Sequence, residues 1–246
     1  FVARNRRLRG LVPAALKTEL PGQKIHEVAR RAKYLLLRLD RGWLILHLGM
    51  SGSLRVLPAA TPPQKFDHVD LVLTNGACLR LRDPRRFGAL LWTRADPARH
   101  RLLRHIGPEP FSPQCTGDYL KRAARGRTCA VRDFLLNGRI LAGIGNIYAN
   151  EALFETGIDP RRPAGGLSLA RYRRLARAVR ATLNRALRAG GTTLRDFQRA
   201  DGRPGYFQLA LAVYGREGEP CRRCRRPIRA VKLGPRRAFF CPHCQS

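Results

Sequence analysis

Four cysteines near the end of the sequence stand as two Cys-x-x-Cys pairs, Cys221/Cys224 and Cys241/Cys244, with sixteen residues between them. A pair at this spacing puts two sulfurs on one tight turn, and two such turns supply the tetrahedral thiolate set that zinc prefers. The spacing predicts one structural Zn2+ held by Cys221, Cys224, Cys241 and Cys244. His243 lies inside the second pair and could replace a sulfur, although the symmetric spacing favours Cys244. A disulfide framework is disfavoured in a long chain poor in cysteine. Cys78, Cys115 and Cys129 are scattered and read as small buried hydrophobes.

A second chemistry is written in the charge. The 246 residues carry 48 Lys and Arg against 17 Asp and Glu, a net charge of +31. That excess points to a polyanionic partner, nucleic acid before an anionic membrane. No stretch approaches the roughly 18 apolar residues needed to span a bilayer. Gly143-Ile-Gly145-Asn146 precedes a helical pattern. Glycines there allow close backbone approach, and a helix N-terminus offers free N–H groups to a phosphate. The run lacks a third glycine and a preceding strand, so it is not a dinucleotide fingerprint. Asn146 is either an N-cap, a phosphate contact or both. Met50 is the only methionine and sits in a Gly-Met-Ser-Gly turn, a poor place for core.

These groups need rigid elements behind them. In the first hundred residues, Tyr34–Leu39, Trp43–Leu48, Val69–Leu73 and Cys78–Arg82 are short apolar or alternating runs divided by turn formers. Phe1–Asn5 also reads as the interior of a strand. Asn75-Gly76 predicts a hairpin, Pro58 to Pro63 a loop, and the whole an antiparallel sandwich or barrel. A boundary follows near Gly107-Pro-Glu-Pro110. Helices are predicted over 118–124, 131–136, 146–155 and 168–189. The last has Ser168 as cap, Gly190-Gly191 as stop, and a face of Leu169, Tyr172, Leu175, Val179, Leu183 and Leu187. Its opposite face is arginine-rich, either a solvated surface or a DNA contact. Residues 201–220 read as a flexible loop leading into a zinc-pinned hairpin with almost no core of its own. The metal would supply its stability, about 10–16 kcal/mol.

Several stretches together resemble the bacterial formamidopyrimidine-DNA glycosylases, a base-excision repair family. They are Arg30–Leu37, His47-Leu-Gly-Met-Ser-Gly-Ser-Leu-Arg55, Asp83-Pro-Arg-Arg-Phe-Gly88 and Gly143-Ile-Gly-Asn-Ile-Tyr-Ala-Asn-Glu151, followed by Gly190–Phe197, Pro204–Phe207 and Val213–Cys221. They cover essentially the whole chain in family order. The resemblance implies an α+β chain: an N-terminal antiparallel β-sandwich (1–106), a helix–two-turn–helix domain (107–200), and a lesion-side loop with a C-terminal zinc-finger β-hairpin (201–246). It also implies excision of oxidised purines, such as formamidopyrimidines and 8-oxoguanine, from double-stranded DNA. The strand is then cleaved at the abasic site by β,δ-elimination. A monomer in the bacterial cytoplasm, associated with the nucleoid, is expected.

Residue by residue, the resemblance makes Met50, Arg85 and Phe87 the wedge that replaces an extruded base. Met and Phe bring apolar bulk, and Arg bonds the orphaned partner base. Arg86, by alternation, faces elsewhere. Lys33 matches the lysine assigned to β-elimination at the abasic sugar; a lysine among cationic neighbours can have a lowered pKa suited to proton transfer. Arg236 matches the hairpin arginine of δ-elimination and phosphate binding, with Arg237 an adjacent alternative. Arg127 and Asn146 match phosphate contacts.

Two departures stand out. The family's Lys-His-Asp-His run is here Lys65-Phe66-Asp67-His68, so Phe66 cannot make the polar phosphate contact of the first histidine. The family nucleophile, an N-terminal proline followed by glutamate, has no counterpart at Phe1. The expectation is a fragment of a longer product that alone binds DNA weakly and excises nothing. Two other readings compete: a non-catalytic zinc-ribbon nucleic-acid-binding protein, and the endonuclease VIII type acting on oxidised pyrimidines.

Overall fold

The computed structural model describes residues 1–190 and 211–246. The motif after Gly190 and the Pro204–Phe207 stretch lie outside the described residues. The chain gathers into two compact units, one over Phe1–Arg104 and one over His105–Ala189 with the described residues from 211 onward.

The first unit is two four-stranded antiparallel sheets. With strands numbered in chain order, one sheet runs β1 (Val2–Ala3), β6 (Asp67–Val72), β7 (Ala77–Arg82), β5 (Ser53–Pro58). The other runs β2 (Ile25–Arg31), β3 (Tyr34–Leu39), β4 (Gly42–His47), β8 (Ala89–Thr93). Alternation places Leu37 and Leu39 of β3 and Leu44 and Leu46 of β4 in one core with Val69, Leu71 and Leu81 of β6 and β7. That shared core is the filling of a β-sandwich. A short helix α1 (Leu16–Glu19) adds Leu16 to it. The Asn75-Gly76 turn joins β6 to β7 as the sequence predicts, with Gly76 at φ +79°.

One charged group is fully enclosed here. Arg80 donates from Nε to Asp70 Oδ1 at 2.9 Å and from Nη2 to Asp70 Oδ2 at 3.0 Å, with further bonds to the Thr61 and Pro62 carbonyls. Burial raises the Asp70 carboxyl, but the bonds from Arg4 and Arg80 outweigh it and hold it below the usual carboxylate range.

The second unit packs α2 (Gly117–Ala124), α3 (Val131–Leu136), α4 (Asn146–Glu155) and α5 (Leu169–Arg188) around one apolar cluster. Ser168 caps α5 by accepting from the Arg171 N–H, and Gly190 follows it at φ +72°. Helices α2 and α5 touch at Gly117, where a Cβ would come within 2.4 Å of Arg173 Cα. The buried stripe of α5 differs from the expected one. Leu187 is 68% exposed, and Thr182 and Ala186 lie inward instead. The stripe drifts because 3.6 residues per turn carries a fixed face steadily around the helix.

A C-terminal hairpin follows, β9 (Arg229–Leu233) and β10 (Arg236–Phe240), turned by Gly234 at φ +53°. It has more core than the sequence led us to expect. Phe239, Ile228, Cys221 and Cys241 cluster with Phe154 of α4 and with Val213. The 211–214 segment, expected to be part of a flexible loop, is also tied down: Leu211 and Val213 are buried. Glu151 of α4 accepts the N–H groups of Ala212, Val213 and Tyr214 at 2.8, 3.0 and 2.9 Å. Among the described residues, no helix is long and apolar enough to cross a membrane.

Candidate nucleic-acid interface and metal centre

In the first unit, Met50, Arg85 and Phe87 stand on two turns whose backbones touch. Met50 is 67% exposed and Phe87 45%, large apolar groups presented to solvent. Gly49, at φ +70°, has no room for a side chain: a Cβ would lie 2.6 Å from the Phe87 carbonyl carbon and 2.7 Å from Gly88 N. The Arg85 guanidinium sits 4.9 Å from the Phe87 ring centre, within cation–π range.

What gathers these turns is Asp83, whose side chain is fully buried. Its Oδ1 accepts from Ser51 Oγ at 2.9 Å and from Arg85 N at 3.3 Å; its Oδ2 accepts from Gly88 N at 2.7 Å. One carboxylate thus fixes the turn after Met50 and both ends of the turn bearing Arg85 and Phe87. The Asp83 carbonyl in turn bonds His68 Nε2 at 2.8 Å. In the sequence Asp83 shows only as the first residue of the Asp83–Gly88 stretch. Its place in the Asp-Pro-Arg-Arg-Phe-Gly run was the available signal.

Lys33 is exposed in the two-residue turn between β2 and β3, beside Ala32 at φ +53°. Tyr34 next to it packs against His47 with the rings tilted by 55° and their centres 4.9 Å apart, and His47 Nδ1 accepts from Gly49 N at 2.9 Å. Burial, then the charges of Arg9 and Lys33, hold the imidazole below its ordinary pKa. His47 therefore stays neutral and can go on accepting that bond at neutral pH. Phe66, at φ +76°, is flanked by Lys65 Nζ at 5.2 Å and the Arg82 guanidinium at 5.9 Å from its ring centre.

In the second unit, helix α4 organises everything. Gly145, not Asn146, is its N-cap residue, and no side chain caps it. Asn146 instead turns its amide toward the hairpin: Nδ2 donates to the Arg237 carbonyl at 2.9 Å. Oδ1 accepts from Arg132 Nη1 at 3.4 Å and Asn150 Nδ2 at 3.2 Å. One turn on, Asn150 Oδ1 accepts from Phe239 N at 2.7 Å. The structure thus brings Asn146 and the tip bearing Arg236 together. Arg237 is paired with Glu217 and lies over Phe239, while Arg236 is exposed. Arg127 is exposed on the loop after α2, its Nε donating to the Ala123 carbonyl.

The four predicted ligand sulfurs lie within 4.8 Å of one another. The Cys221–Cys244 and Cys224–Cys241 separations are 4.0 and 3.4 Å. Metal–sulfur bonds of about 2.3 Å in a tetrahedron put sulfurs about 3.8 Å apart, so the donor set fits one zinc ion. Burial raises the Cys221 thiol, but the N–H groups of Cys224 and Arg223 bring it down to about 7. Burial and the neighbouring sulfurs push Cys244 up to about 12. Four thiols so close cannot all ionise unaided; a divalent cation makes that possible.

The same division appears in comparisons with known proteins. Residues 1–90 match the formamidopyrimidine-DNA glycosylase N-terminal domain, residues 106–198 the H2TH domain of that enzyme, and residues 218–246 a zinc finger found in FPG and IleRS. The chain belongs to the formamidopyrimidine-DNA glycosylase family. The formamidopyrimidine-DNA glycosylase of Alkalilimnicola ehrlichii is 56% identical, covering 100% of this chain and 91% of its own length. That of Methylococcus capsulatus is 54% identical over 98% of this chain and 89% of its own. Among solved structures, the Lactococcus lactis FPG in complex with a Fapy-dG containing DNA aligns with a TM-score of 0.90 and 31% identity. It covers 100% of this chain and 91% of the other. The Thermus thermophilus protein gives 0.83 and 42% over 91% of this chain and 84% of its own. Family members are DNA glycosylases that also cleave abasic sites. The cysteine cluster is the structural zinc site of this family.

Proposed function

We propose that the protein works in base-excision repair of double-stranded DNA: it excises oxidised purines of the formamidopyrimidine and 8-oxoguanine kind and cleaves the strand at the abasic site by β,δ-elimination. The observation that carries this reading is the similarity to formamidopyrimidine-DNA glycosylases along the whole of this chain, 56% identity in one relative. Relatives at 31–32% identity are solved with Fapy-dG and abasic-site DNA.

The residues fit the steps. Extruding a base costs a few kcal/mol of stacking and pairing, and the vacancy must be filled or the base returns. Met50 and Phe87 offer exposed apolar bulk on a backbone that Asp83 keeps from yielding, and Arg85 brings donors for the unpaired base. Asn146, Arg127 and Arg236 would engage phosphates. Arg236 is favoured over Arg237 for elimination chemistry because Arg237 is already paired with Glu217. Lys33, at an exposed hairpin tip, would serve proton transfer at the sugar. Phe66 gives up one polar phosphate contact, and Lys65 and Arg82 on either side of its ring are placed to compensate. The site of action is the bacterial cytoplasm, at the nucleoid.

The test incubates the protein with duplexes carrying an oxidised purine, an oxidised pyrimidine or no lesion. Base release and borohydride trapping are followed. Excision favouring the purine duplex is expected. Preference for the pyrimidine would move the protein to the endonuclease VIII type, and binding without excision of either would make it a non-catalytic reader.

A further inference from the structure

Arg132 of α3 is the largest fully buried side chain in the described chain. Its only ionic partner among the described residues is Asp133, 3.2 Å away, whose own side chain is 40% exposed. The rest of its fork meets neutral acceptors. Nη2 donates to the Leu233 carbonyl at 2.7 Å and the Arg236 carbonyl at 3.3 Å, and Nη1 to Asn146 Oδ1 at 3.4 Å. Nε is buried with no partner. An enclosed charge with so little compensation is costly. Burial, above all, and the nearby Arg236 push its pKa down, only partly opposed by Asp133.

The connections are specific. Leu233 and Arg236 are the two residues flanking the Gly234-Pro235 turn of the hairpin, and Asn146 is the first residue of α4. A planar guanidinium spreads its donors over a rigid fork that reaches both at once, whereas an ammonium offers its three donors from a single atom. Arg132 therefore holds the helix start and the hairpin tip in one register, and its own charge lies beneath both.

We infer that Arg132 is a positioning residue that makes Asn146 and Arg236 a single phosphate clamp, set from behind by a buried cation that never touches the DNA. The inference rests on the proposed reading that these two residues engage DNA phosphate. When a phosphate arrives, it meets an amide already oriented by the fork, an arginine on a fixed tip, the N-terminal end of a helix, and a buried positive charge that one half-exposed carboxylate balances only in part.

The test uses the full chain, zinc-loaded, and a duplex carrying a tetrahydrofuran abasic analogue. Affinity is measured over a salt series for the unsubstituted protein, Arg132→Met, Arg132→Lys, Asn146→Ala and the Arg132→Met/Asn146→Ala pair. Arg132→Met should weaken binding about tenfold or more and lower the log–log salt slope by about 0.9, the value for one lost phosphate contact. The double variant should bind no worse than the weaker single one, because both remove the same clamp. Arg132→Lys should fail to restore binding. Zinc content should stay at one per chain, and amide exchange at 233–237 should quicken in Arg132→Met. Additive losses in the double variant, full rescue by lysine, or an unchanged slope in zinc-loaded Arg132→Met would overturn the inference. If Arg132→Met does not hold zinc, the lysine variant and the exchange rates decide it. Failure of the unsubstituted protein to bind the duplex would instead sink the functional reading, leaving the exchange at 233–237 to judge whether Arg132 sets the tip.

Discussion

Met50, Arg85 and Phe87 stand on turns gathered by a buried anion; Asn146 and Arg236 stand on a helix start and a hairpin tip gathered by a buried cation. In the first unit, Asp83 collects one hydroxyl and two backbone N–H donors. In the second, Arg132 collects two backbone carbonyls and one amide oxygen. The signs follow from what converges. Turns between strands expose unpaired N–H groups, which an anion satisfies, whereas the hairpin tip presents carbonyls, which a cation satisfies. The supports behind these hubs also differ. The wedge turns hang from eight strands with a shared apolar core, while the hairpin relies on a metal, a few side chains of its own and the flank of α4. One region should thus survive losses that dismantle the other.

Metal removal should show the largest contrast. Zinc binding to such a site contributes about 10–16 kcal/mol, more than the shared cluster of Phe154, Val213, Ile228 and Phe239 can replace. Chelation, or Cys221→Ser, is expected to abolish DNA binding and expose the amides of β9 and β10 to exchange. The β-sandwich amides should remain protected. Unchanged DNA binding by metal-free protein would remove the role given to Arg236 and to the hairpin.

Asp83→Ala should come next, in the other unit. It leaves the buried Ser51 hydroxyl and the Arg85 and Gly88 amides without their acceptor, at a cost of about 3 kcal/mol. A lowered urea midpoint for the sandwich with an intact zinc hairpin is the expected pattern. Lesion binding should fall with it, since Met50 and Phe87 would lose their fixed spacing. Retained stability would show that water replaces the carboxylate and that the turns are held by sheet register alone.

These hubs mark where sequence reading stops. The strands read from alternation, β3, β4, β6 and β7, are the central ones of their sheets. The strands passed over, β2, β5 and β8, are all edges. An edge is paired on one side and wetted on the other, so Ile25–Arg31 shows little apolar periodicity, and most of it is exposed. Helices α2 to α5 were legible to within a residue or two because apolar periodicity, the Ser168 cap of α5 and the glycines after α4 and α5 are local signals. Resemblance supplied the exposed groups, and spacing supplied the cysteines. Asp83, Arg132, Asn150 and Glu151 were not legible as hubs, because their partners come from far along the chain. Ser51 is 32 residues from Asp83, and Leu233 is 101 residues from Arg132. Nothing local tells a buried polar residue which distant backbone groups will meet it.

Acid should sharpen the contrast more gently. Asp70 is held below the usual carboxylate range by its bonds to Arg4 and Arg80. A carboxyl whose folded pKa lies beneath its unfolded value, about 3.9, adds stability above that value. The contribution is lost as pH falls through the folded value. Asp70 should therefore add no pH dependence near neutrality, where its full contribution is present, and the sandwich should lose stability below about pH 4, where the unfolded chain takes up the proton more readily. Asp70→Asn should flatten that acid limb and lower stability at pH 7. An acid limb of unchanged steepness in Asp70→Asn would assign it to other carboxylates.

The smallest effect on stability should come from the residues that matter most for the proposed reaction. Met50 and Phe87 are 67% and 45% exposed, so Met50→Ala and Phe87→Ala remove little buried area. Each should shift unfolding by no more than about 0.5 kcal/mol, the range for surface substitutions. If the side chains fill the gap left by an extruded base, the same variants should lose discrimination between lesion and undamaged duplexes. Phosphate affinity and its salt slope should hold, since no charge is removed. The two measurements separate scaffold from wedge. A large loss of stability would mean that the side chains close the turn region, and retained discrimination would mean that the base stack is propped by something other than Met50 and Phe87. Arg85→Ala supplies the intermediate case: it removes a cation stacked 4.9 Å from the Phe87 ring centre. Discrimination should weaken while Phe87 loses the neighbour that orients its ring, so the Arg85 and Phe87 effects should fall short of additive.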